Sequence, residues 1–359
     1  MKFFSLANFD WGRRHGSRLS PPRFLFLDVN QRCNLRCQHC IYWKQTVPPG
    51  FVPLSEQRRR EIIGEFAGMN PRGAVVICGG ESLLDPKDYF AVTRQCLAEG
   101  LRCLSVINGT CVRDAGMADL LIGEGPSEIT VSLDDHRPDR HDEYRGVKGS
   151  FALAVNAVRL LREARERNPS RGTRLYVMGL IHEGNYRELD AFYDFVLNKL
   201  RADKLKLNFL QPTFGLEGGA DEFFARYYIR DPESLLAILK ACDEKYRLRL
   251  NPAWLRTVEI YARSINEDSA RRGWANAEAT AEPICNSYER NIMVDIEGNA
   301  RLCFARSFPH VPLRRPGDLR RFWYEESGPI RQKMKHCRRP CGISHSVRRE
   351  PATLPGAAL

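Results

Sequence analysis

The chain has 359 residues, of which 43% are hydrophobic and 28% are charged. This balance is typical of a folded enzyme and excludes an intrinsically disordered chain, and the length is sufficient for two domains. No apolar run reaches the roughly 18 residues that a membrane-spanning helix needs, and the N-terminus lacks the apolar core of a signal peptide. The sequence therefore predicts a cytoplasmic protein with no membrane partner.

Six β-rich runs alternate with amphipathic helical patterns over the first two thirds of the chain. The predicted strands are Phe24–Val29, Ala74–Cys78, Leu104–Ile107, Ile129–Leu133, Arg174–Ile181 and Leu205–Phe209. The predicted helices are Ser55–Phe66, Pro86–Ala98, Ala115–Ile122, Phe151–Arg165 and Arg187–Leu200, with Ser150 and Asn185 at N-cap positions. This alternation predicts an α/β fold with a parallel sheet, either a partial (β/α)6 TIM-like barrel or a doubly wound open sheet. In both folds the functional site lies at the carboxyl ends of the strands.

The pattern changes near residue 250. A helix is expected over Trp254–Ile265, a β-hairpin over Asn291–Ile296 and Ala300–Phe304 with Gly298 in its turn, and another helix near Leu319–Lys335. These elements predict a small C-terminal α+β domain. The expected organisation is an N-terminal extension (1–21), a barrel (22–250), the C-terminal domain (251–349) and a flexible tail (350–359).

A short loop after the first predicted strand contains Cys33, Cys37 and Cys40, separated by three and by two residues. Clustered cysteines in a reducing compartment more often bind metal or do redox chemistry than form disulfides. Three thiolates at this spacing can hold an iron–sulfur cubane and leave its fourth iron open. A zinc site, which normally has four protein ligands, and chance spacing remain the alternatives.

This loop resembles the signature of the radical S-adenosylmethionine (SAM) superfamily. Gly79-Gly80-Glu81 after the second strand is similar to the family motif that receives the amino group of SAM, although Ser82 stands where Pro is usual. The resemblance implies a [4Fe–4S] cluster with an open iron, bound SAM and a 5′-deoxyadenosyl radical that abstracts hydrogen. It implies SAM contacts at His39, Gly79, Gly80, Glu81, Asn108, Ser132, Arg145 and Ile181, with Arg145 able to pair a carboxylate.

A second cysteine set comprises Cys285, Cys303, Cys337 and Cys341, two of which flank the predicted hairpin. This arrangement resembles the SPASM and twitch extensions of the same superfamily, and four cysteines imply one auxiliary [4Fe–4S] cluster. A four-cysteine zinc site is the alternative. The chain carries a net charge of +11 and its arginines are concentrated in this segment, where they would stabilise the anionic cluster. Cys96 and Cys242 are expected to be packing residues, whereas Cys78 and Cys111 could reach the site.

The first functional hypothesis is dehydrogenation or epimerisation of a sugar-like or aminoglycoside-like small molecule, with the auxiliary cluster as electron acceptor. It rests on the short segment before the first strand, which leaves no room for a leader-binding module. The candidate catalytic groups at strand ends are Cys78, Asp134, Asp135, His182 and Glu183. The alternative is a peptide maturase that forms a thioether, a carbon–carbon link or an oxidised residue.

A flavodoxin- or ferredoxin-type electron donor is expected for either reaction. A nucleic-acid-binding protein that uses the basic segment is a third hypothesis, which the barrel motifs disfavour. The sequence leaves the substrate, the fate of SAM and the oligomeric state open.

Overall fold

The computed structural model describes residues 19–40, 42–44, 50–211, 222–272, 280–304 and 309–341. Most of the expected N-terminal extension, the end of the C-terminal domain and the tail lie outside the described residues. Among the residues described, no helix combines the length and the hydrophobicity that a membrane crossing requires.

A nine-stranded sheet forms the centre of the described structure. Its strands are β1 (Phe24–Asn30), β2 (Ala74–Gly79), β3 (Arg102–Ile107), β4 (Glu128–Ser132), β5 (Arg174–Ile181), β6 (Lys204–Phe209), β7 (Asn291–Val294), β8 (Asn299–Arg301) and β9 (Val311–Pro312). The strand order is β6-β5-β4-β3-β2-β1-β7-β8-β9. Strands β1 to β6 are parallel and lie in chain order, which is the order of a partial barrel. The predicted partial barrel is confirmed, and a doubly wound sheet, whose strand order reverses at a switch point, is wrong.

Helices cover the outer face of the sheet. They are α1 (Glu56–Met69), α2 (Pro86–Ala98), α3 (Ala115–Glu124), α4 (Pro138–Arg145), α5 (Ser150–Arg167), α6 (Leu189–Asp194, continued by a π turn, Phe195–Lys199), α7 (Glu222–Tyr227), α8 (Pro232–Tyr246), α9 (Pro252–Ser264), α10 (Glu267–Arg272), α11 (Asp318–Arg321, continued by a π turn, Phe322–Glu326) and α12 (Gly328–Lys335). The main core lies between these helices and the sheet. A smaller apolar cluster of Phe26, Ala74, Val76, Leu104 and Met293 lies on the opposite, inner face.

The predicted hairpin forms and extends the barrel sheet. Strand β7 pairs in parallel with β1, from Phe24 opposite Asn291 to Leu27 opposite Val294. Gly298 occupies the hairpin turn at φ +80°, a left-handed conformation that favours glycine. The two predicted parts of the chain therefore share one sheet.

One of the two predicted N-caps, Ser150, is wrong. Gly149 holds the N-cap position of α5, and the Asp142 carboxylate accepts from the Gly149 N–H, the Ser150 hydroxyl and the Phe151 N–H. Asn185 holds the expected N-cap position, at the short 3-10 turn Tyr186–Glu188 that leads into α6, but its side chain makes no cap bond. Its side chain instead bridges the carbonyls of Asp134 and Leu180, so it clamps the ends of β4 and β5 together.

The predicted helix over Leu319–Lys335 is also wrong in part. The helix is interrupted at Ser327, between the α11 segment and α12. Proline disrupts the interior of a helix but is tolerated in the first turn, and Pro329 lies in the first turn of α12.

Candidate active site

Cys33, Cys37 and Cys40 line one cavity of roughly 330 Å³ at the carboxyl ends of the barrel strands. This volume is within the range of small-molecule sites. Each neighbouring strand contributes residues to the wall: Gly79, Gly80 and Glu81 from β2, Asn108 from β3, Ser132 and Asp134 from β4, Met178 and Leu180 from β5, and Asn208, Phe209 and Leu210 from β6. The fold thus brings the cysteine loop and the glycine motif to the same cavity.

The cysteine loop is fastened to the end of α4 by backbone hydrogen bonds. The Arg36 N–H donates to the Arg145 carbonyl at 3.0 Å, and the Gln38 N–H donates to the Tyr144 carbonyl at 3.0 Å. The Trp43 indole donates to the Cys37 carbonyl at 2.8 Å. These contacts hold the thiols in place without depending on the cysteine side chains.

The donor set fits an iron–sulfur cluster with one open iron. Burial raises the pKa of the Cys33 and Cys37 thiols, and it raises that of Cys40 to about 12. Such thiols become ligands when a cation replaces their protons. Within the described part of the chain, no three Cys, His, Asp or Glu side chains are close enough to share a single metal ion. A cubane spans a greater distance between its cysteines than one ion does.

Gly79 and Gly80 pack directly against the backbone that leads from β1 into the cysteine loop. A Cβ on Gly79 would lie 2.2 Å from the Asn30 carbonyl oxygen, and one on Gly80 would lie 2.0 Å from the Arg32 carbonyl oxygen. The Gly80 N–H donates to the Asn30 carbonyl at 2.9 Å. Only glycine permits this approach of the two backbone segments.

Glu81 presents a buried carboxylate at the cavity wall. Burial raises its pKa to about 7, even though the N–H groups of Asn108 and Leu83 donate to it at 2.6 and 3.1 Å. The Asn108 side chain in turn donates to the Asn34 side chain at 2.9 Å. A carboxylate whose pKa lies near neutrality can receive the hydrogen bonds of an ammonium group.

Arg145 pairs with a carboxylate of the protein itself. Its Nε lies 2.7 Å from Asp134 Oδ2, its Nη2 donates to Asp134 Oδ1 at 2.8 Å, and its Nη1 lies 3.8 Å from Cys37 Sγ. Burial alone would raise the pKa of Asp134, but Arg145, His39 and His141 together lower it to about 2. Asp134 is therefore a permanently ionised partner of Arg145.

Among the expected catalytic groups, Cys78 and Asp134 line the cavity. Cys78 lies opposite Asp28 in the sheet register. Burial and a hydrogen bond to Asp28 raise the pKa of the Cys78 thiol, so the thiol stays protonated. The Tyr42 hydroxyl donates to the same carboxylate at 3.1 Å.

The other expected catalytic groups, Asp135, His182 and Glu183, lie outside the residues that line this cavity, and a catalytic role for them stays a prediction. Burial lowers the pKa of His182 to about 3, and its ring packs 4.5 Å from the Tyr144 ring. Asp135 accepts from the Arg137 N–H, and Glu183 accepts from the Arg230 N–H.

Most of the residues expected to contact SAM line the cavity, but Ile181 does not. His39 and Ser132 line the cavity, whereas the Ile181 side chain packs in the core outside it. Successive side chains of a strand face opposite sides of the sheet, so Met178 and Leu180 of β5 face the cavity in its place. A SAM contact from the segment that contains Ile181 stays a prediction.

Sequence reasoning missed Asp28, Tyr42 and Phe304. All three line a smaller cavity of roughly 180 Å³ that shares Tyr42, Cys78, Gly79 and Phe304 with the main one. Asp28 could have been found from the sequence. It lies two and four residues after Phe26 and Phe24 in an otherwise apolar strand, so its side chain faces the same side of the sheet as theirs, which is the barrel interior.

The four C-terminal cysteines lie near one another. Burial raises the pKa of Cys341 well above its ordinary value, and Cys303, Cys285 and Cys337 raise it further. Arg339 acts in the opposite direction and lowers this pKa. The set is a second group of soft ligands, and Cys303 directly precedes the cavity residue Phe304.

Two cysteines expected to be packing residues, Cys96 and Cys242, are buried in the core, in agreement with that prediction. Cys111 is half-buried, and it packs against the core without lining the main cavity.

Comparison with known proteins shows which family the barrel is similar to. The sequence model of the Radical SAM superfamily matches residues 28–196. The AdoMet-dependent heme synthase of Oleidesulfovibrio alaskensis is 32% identical over 145 residues, which cover 40% of this chain and 36% of that protein. The antilisterial bacteriocin subtilosin biosynthesis protein AlbA of Bacillus subtilis is 27% identical over 144 residues, which cover 39% of this chain and 30% of that protein. The matches thus span about a third of the length of these relatives.

The crystal structure of SuiB from Streptococcus suis has a similar fold. It matches with a TM-score of 0.64 at 15% identity, over 91% of this chain and 71% of that chain. Further SuiB structures contain S-adenosylmethionine or the precursor peptide SuiA. At this identity the likeness concerns the fold.

Proposed function

We propose that the chain is a radical SAM enzyme that uses a [4Fe–4S] cluster and SAM to modify a peptide oxidatively, and the match to the superfamily model supports this. The observation that carries the proposal is the convergence of Cys33, Cys37 and Cys40 with Gly80 and Glu81 on one cavity. When bound, the cluster and SAM supply a 5′-deoxyadenosyl radical, which can take hydrogen from an unactivated carbon.

The protein's own residues bind and orient these groups. Cys33, Cys37 and Cys40 would hold three irons and leave the fourth to the amino acid end of SAM. Gly80 lets that end approach the backbone, and Glu81 would accept hydrogen bonds from its ammonium group. The apolar cavity residues from β5 and β6 exclude water and so protect a reactive species from solvent.

Cys285, Cys303, Cys337 and Cys341 would hold an auxiliary [4Fe–4S] cluster. Removal of one hydrogen atom and one proton from a substrate leaves one electron, which needs an acceptor. The four thiols provide ligands for a cluster that would accept this electron, and one of them, Cys303, directly precedes the cavity residue Phe304. A flavodoxin- or ferredoxin-type protein would supply the electron that starts each reaction.

A peptide substrate is favoured by the relatives. AlbA is a bacteriocin biosynthesis protein, and SuiB binds the precursor peptide SuiA. These similarities support the peptide hypothesis better than the sugar-like substrate expected from the sequence. A tetrapyrrole-like small molecule is the second candidate, because several of the relatives at about 30% identity are heme synthases.

The first test asks whether the site cleaves SAM. Anaerobically reconstituted protein treated with dithionite should release methionine and 5′-deoxyadenosine, measured by liquid chromatography and mass spectrometry. The triple variant Cys33→Ala/Cys37→Ala/Cys40→Ala should release neither. The matched variant Cys337→Ala/Cys341→Ala should still cleave SAM. Fully loaded protein that releases no methionine would contradict the proposal.

The second test concerns the substrate. Peptides encoded beside the gene should lose two hydrogens, a mass decrease of about 2 Da, when they are incubated with the active protein and SAM. The Cys337→Ala/Cys341→Ala variant should cleave SAM without producing this change. A modified tetrapyrrole, with all candidate peptides unchanged, would favour the second candidate.

A further inference from the structure

The guanidinium of Arg145 is held in an unusual position for a residue expected to receive a carboxylate of SAM. The Arg145 side chain is only 11% exposed, and two of its nitrogens already face Asp134, at 2.7 and 2.8 Å. Its remaining terminal nitrogen, Nη1, lies 3.8 Å from Cys37 Sγ. The side that could grip a ligand carboxylate as a fork is thus occupied by Asp134.

Both ends of this contact are fixed by the fold. The Arg145 carbonyl accepts the Arg36 N–H at 3.0 Å, so the residue is tied to the cysteine loop through its backbone as well. Gly146 follows at φ +67°, and a Cβ there would lie 2.4 Å from the Arg36 carbonyl oxygen. Asp134 also accepts the Leu180 N–H of β5 at 3.0 Å. The ion pair is therefore oriented, with its positive end toward the sulfur.

We propose that Arg145 is a positioning residue that raises the reduction potential of the cluster held by Cys37, with Asp134 as its anchor. This inference rests on the proposed three-cysteine cluster. Reduction adds negative charge to the cluster and its sulfurs. A fixed positive charge and an N–H donor at one ligand sulfur stabilise that added charge, as hydrogen bonding and local charge do in iron–sulfur proteins generally.

Asp134 opposes this effect only in part. Its carboxylate lies on the far side of the guanidinium from Cys37, so the nearer, positive end of the pair dominates at the sulfur. Removal of Arg145 alone would also leave Asp134 as a buried, unpaired charge, which costs stability. The test therefore needs a variant that removes both charges together.

The experiment measures the cluster potential in the absence of SAM. Reconstituted protein is prepared in the Cys337→Ala/Cys341→Ala background, so that one cluster gives the signal. The midpoint potential is determined by an EPR-monitored redox titration for the parent, Arg145→Met, Arg145→Lys and Arg145→Met/Asp134→Asn. Arg32→Gln is the matched control, because it also removes an arginine charge next to the cysteine loop. The Arg32 side chain is 68% exposed, so its charge is screened by solvent.

We expect the midpoint to move to more negative values in Arg145→Met, and to a smaller extent in the double variant. Lysine keeps the charge but loses the fork, so Arg145→Lys should lie between the parent and Arg145→Met. Arg32→Gln should match the parent. An Arg145→Met potential equal to that of the parent, with the loss confined to SAM affinity in equilibrium dialysis, would overturn the inference in favour of a direct SAM contact. If the parent assembles no cluster, the proposed function fails instead.

Discussion

Replacement of Gly80 by alanine tests whether the close approach of the glycine motif to the cysteine loop sets the geometry of the cavity. The added Cβ would lie 2.0 Å from the Arg32 carbonyl oxygen and 2.6 Å from its carbonyl carbon. Both atoms belong to the backbone, so no side chain can rotate away, and the loop that begins with Cys33 must move by about 1 Å or more. The Glu81 N–H, which donates to the same carbonyl at 2.8 Å, would be displaced with it.

Overpacking of this kind costs roughly 1–3 kcal/mol. At about 2–4 °C per kcal/mol for a domain of this size, the melting temperature should fall by about 2–12 °C. SAM affinity of the reconstituted protein, measured by equilibrium dialysis, should fall as well, because Gly80 lines the cavity. Gly68→Ala is the control: it lies in α1 with nothing within 4 Å of the added Cβ, and it should stabilise by about 0.4–1 kcal/mol. A Gly80→Ala protein with unchanged melting temperature and SAM affinity would refute the reasoning.

Three further predictions concern titration and iron. The pKa of Glu81 is raised from 4.5 to about 7 in the folded protein, so the free energy of unfolding should fall as the pH rises between these values. Glu81→Gln lacks this titration, so over the same pH range its free energy of unfolding should gain up to roughly 3 kcal/mol relative to the parent, measured by denaturant unfolding. His182, with a pKa of about 3, is neutral at ordinary pH, so His182→Gln should lower the melting temperature and leave the pH profile of SAM cleavage unchanged; an altered acid limb would contradict this. Cys337→Ala/Cys341→Ala should lose about four irons per chain by colorimetric assay, whereas Cys96→Ala should lose none.

The sequence predicted the strands of the barrel to within two residues at each end. Strands β1 and β4 are runs buried on both faces of a parallel sheet, whereas β5 and β6 alternate between buried and half-buried residues, and both patterns differ from that of a helix. Helix α4 was missed because its sequence, PDRHDEYR, has no apolar periodicity. It forms because Pro138 starts it, Gly146 ends it in the left-handed conformation, and it packs through His141 and Tyr144.

The parts of the candidate site that are formed by residues close together in the sequence were predictable. The cysteine spacing and the glycine motif each lie within a few residues, and both reach the cavity. Pairings between distant residues were not predictable. Asp134 and Arg145 each carried a separate assignment, yet they bind each other. His182 and Glu183 follow a strand end but turn away from the cavity, because loop packing decides the direction of a side chain after a strand has ended.

The parallel pairing of β1 with β7 has a consequence for how the molecule is made. The strand that leads into the cysteine loop has β2 on one side, 44 residues or more further along the chain, and β7 on the other, which begins at Asn291. At ribosomal speeds of about 5–20 residues per second, the β7 side of β1 stays uncovered for about 10–50 s after β1 has emerged. During that time β1 is an exposed edge that can pair with other chains. Insertion of iron at the cysteine loop would thus compete with aggregation of the nascent protein. Slower translation would favour aggregation, because β1 would stay exposed for longer.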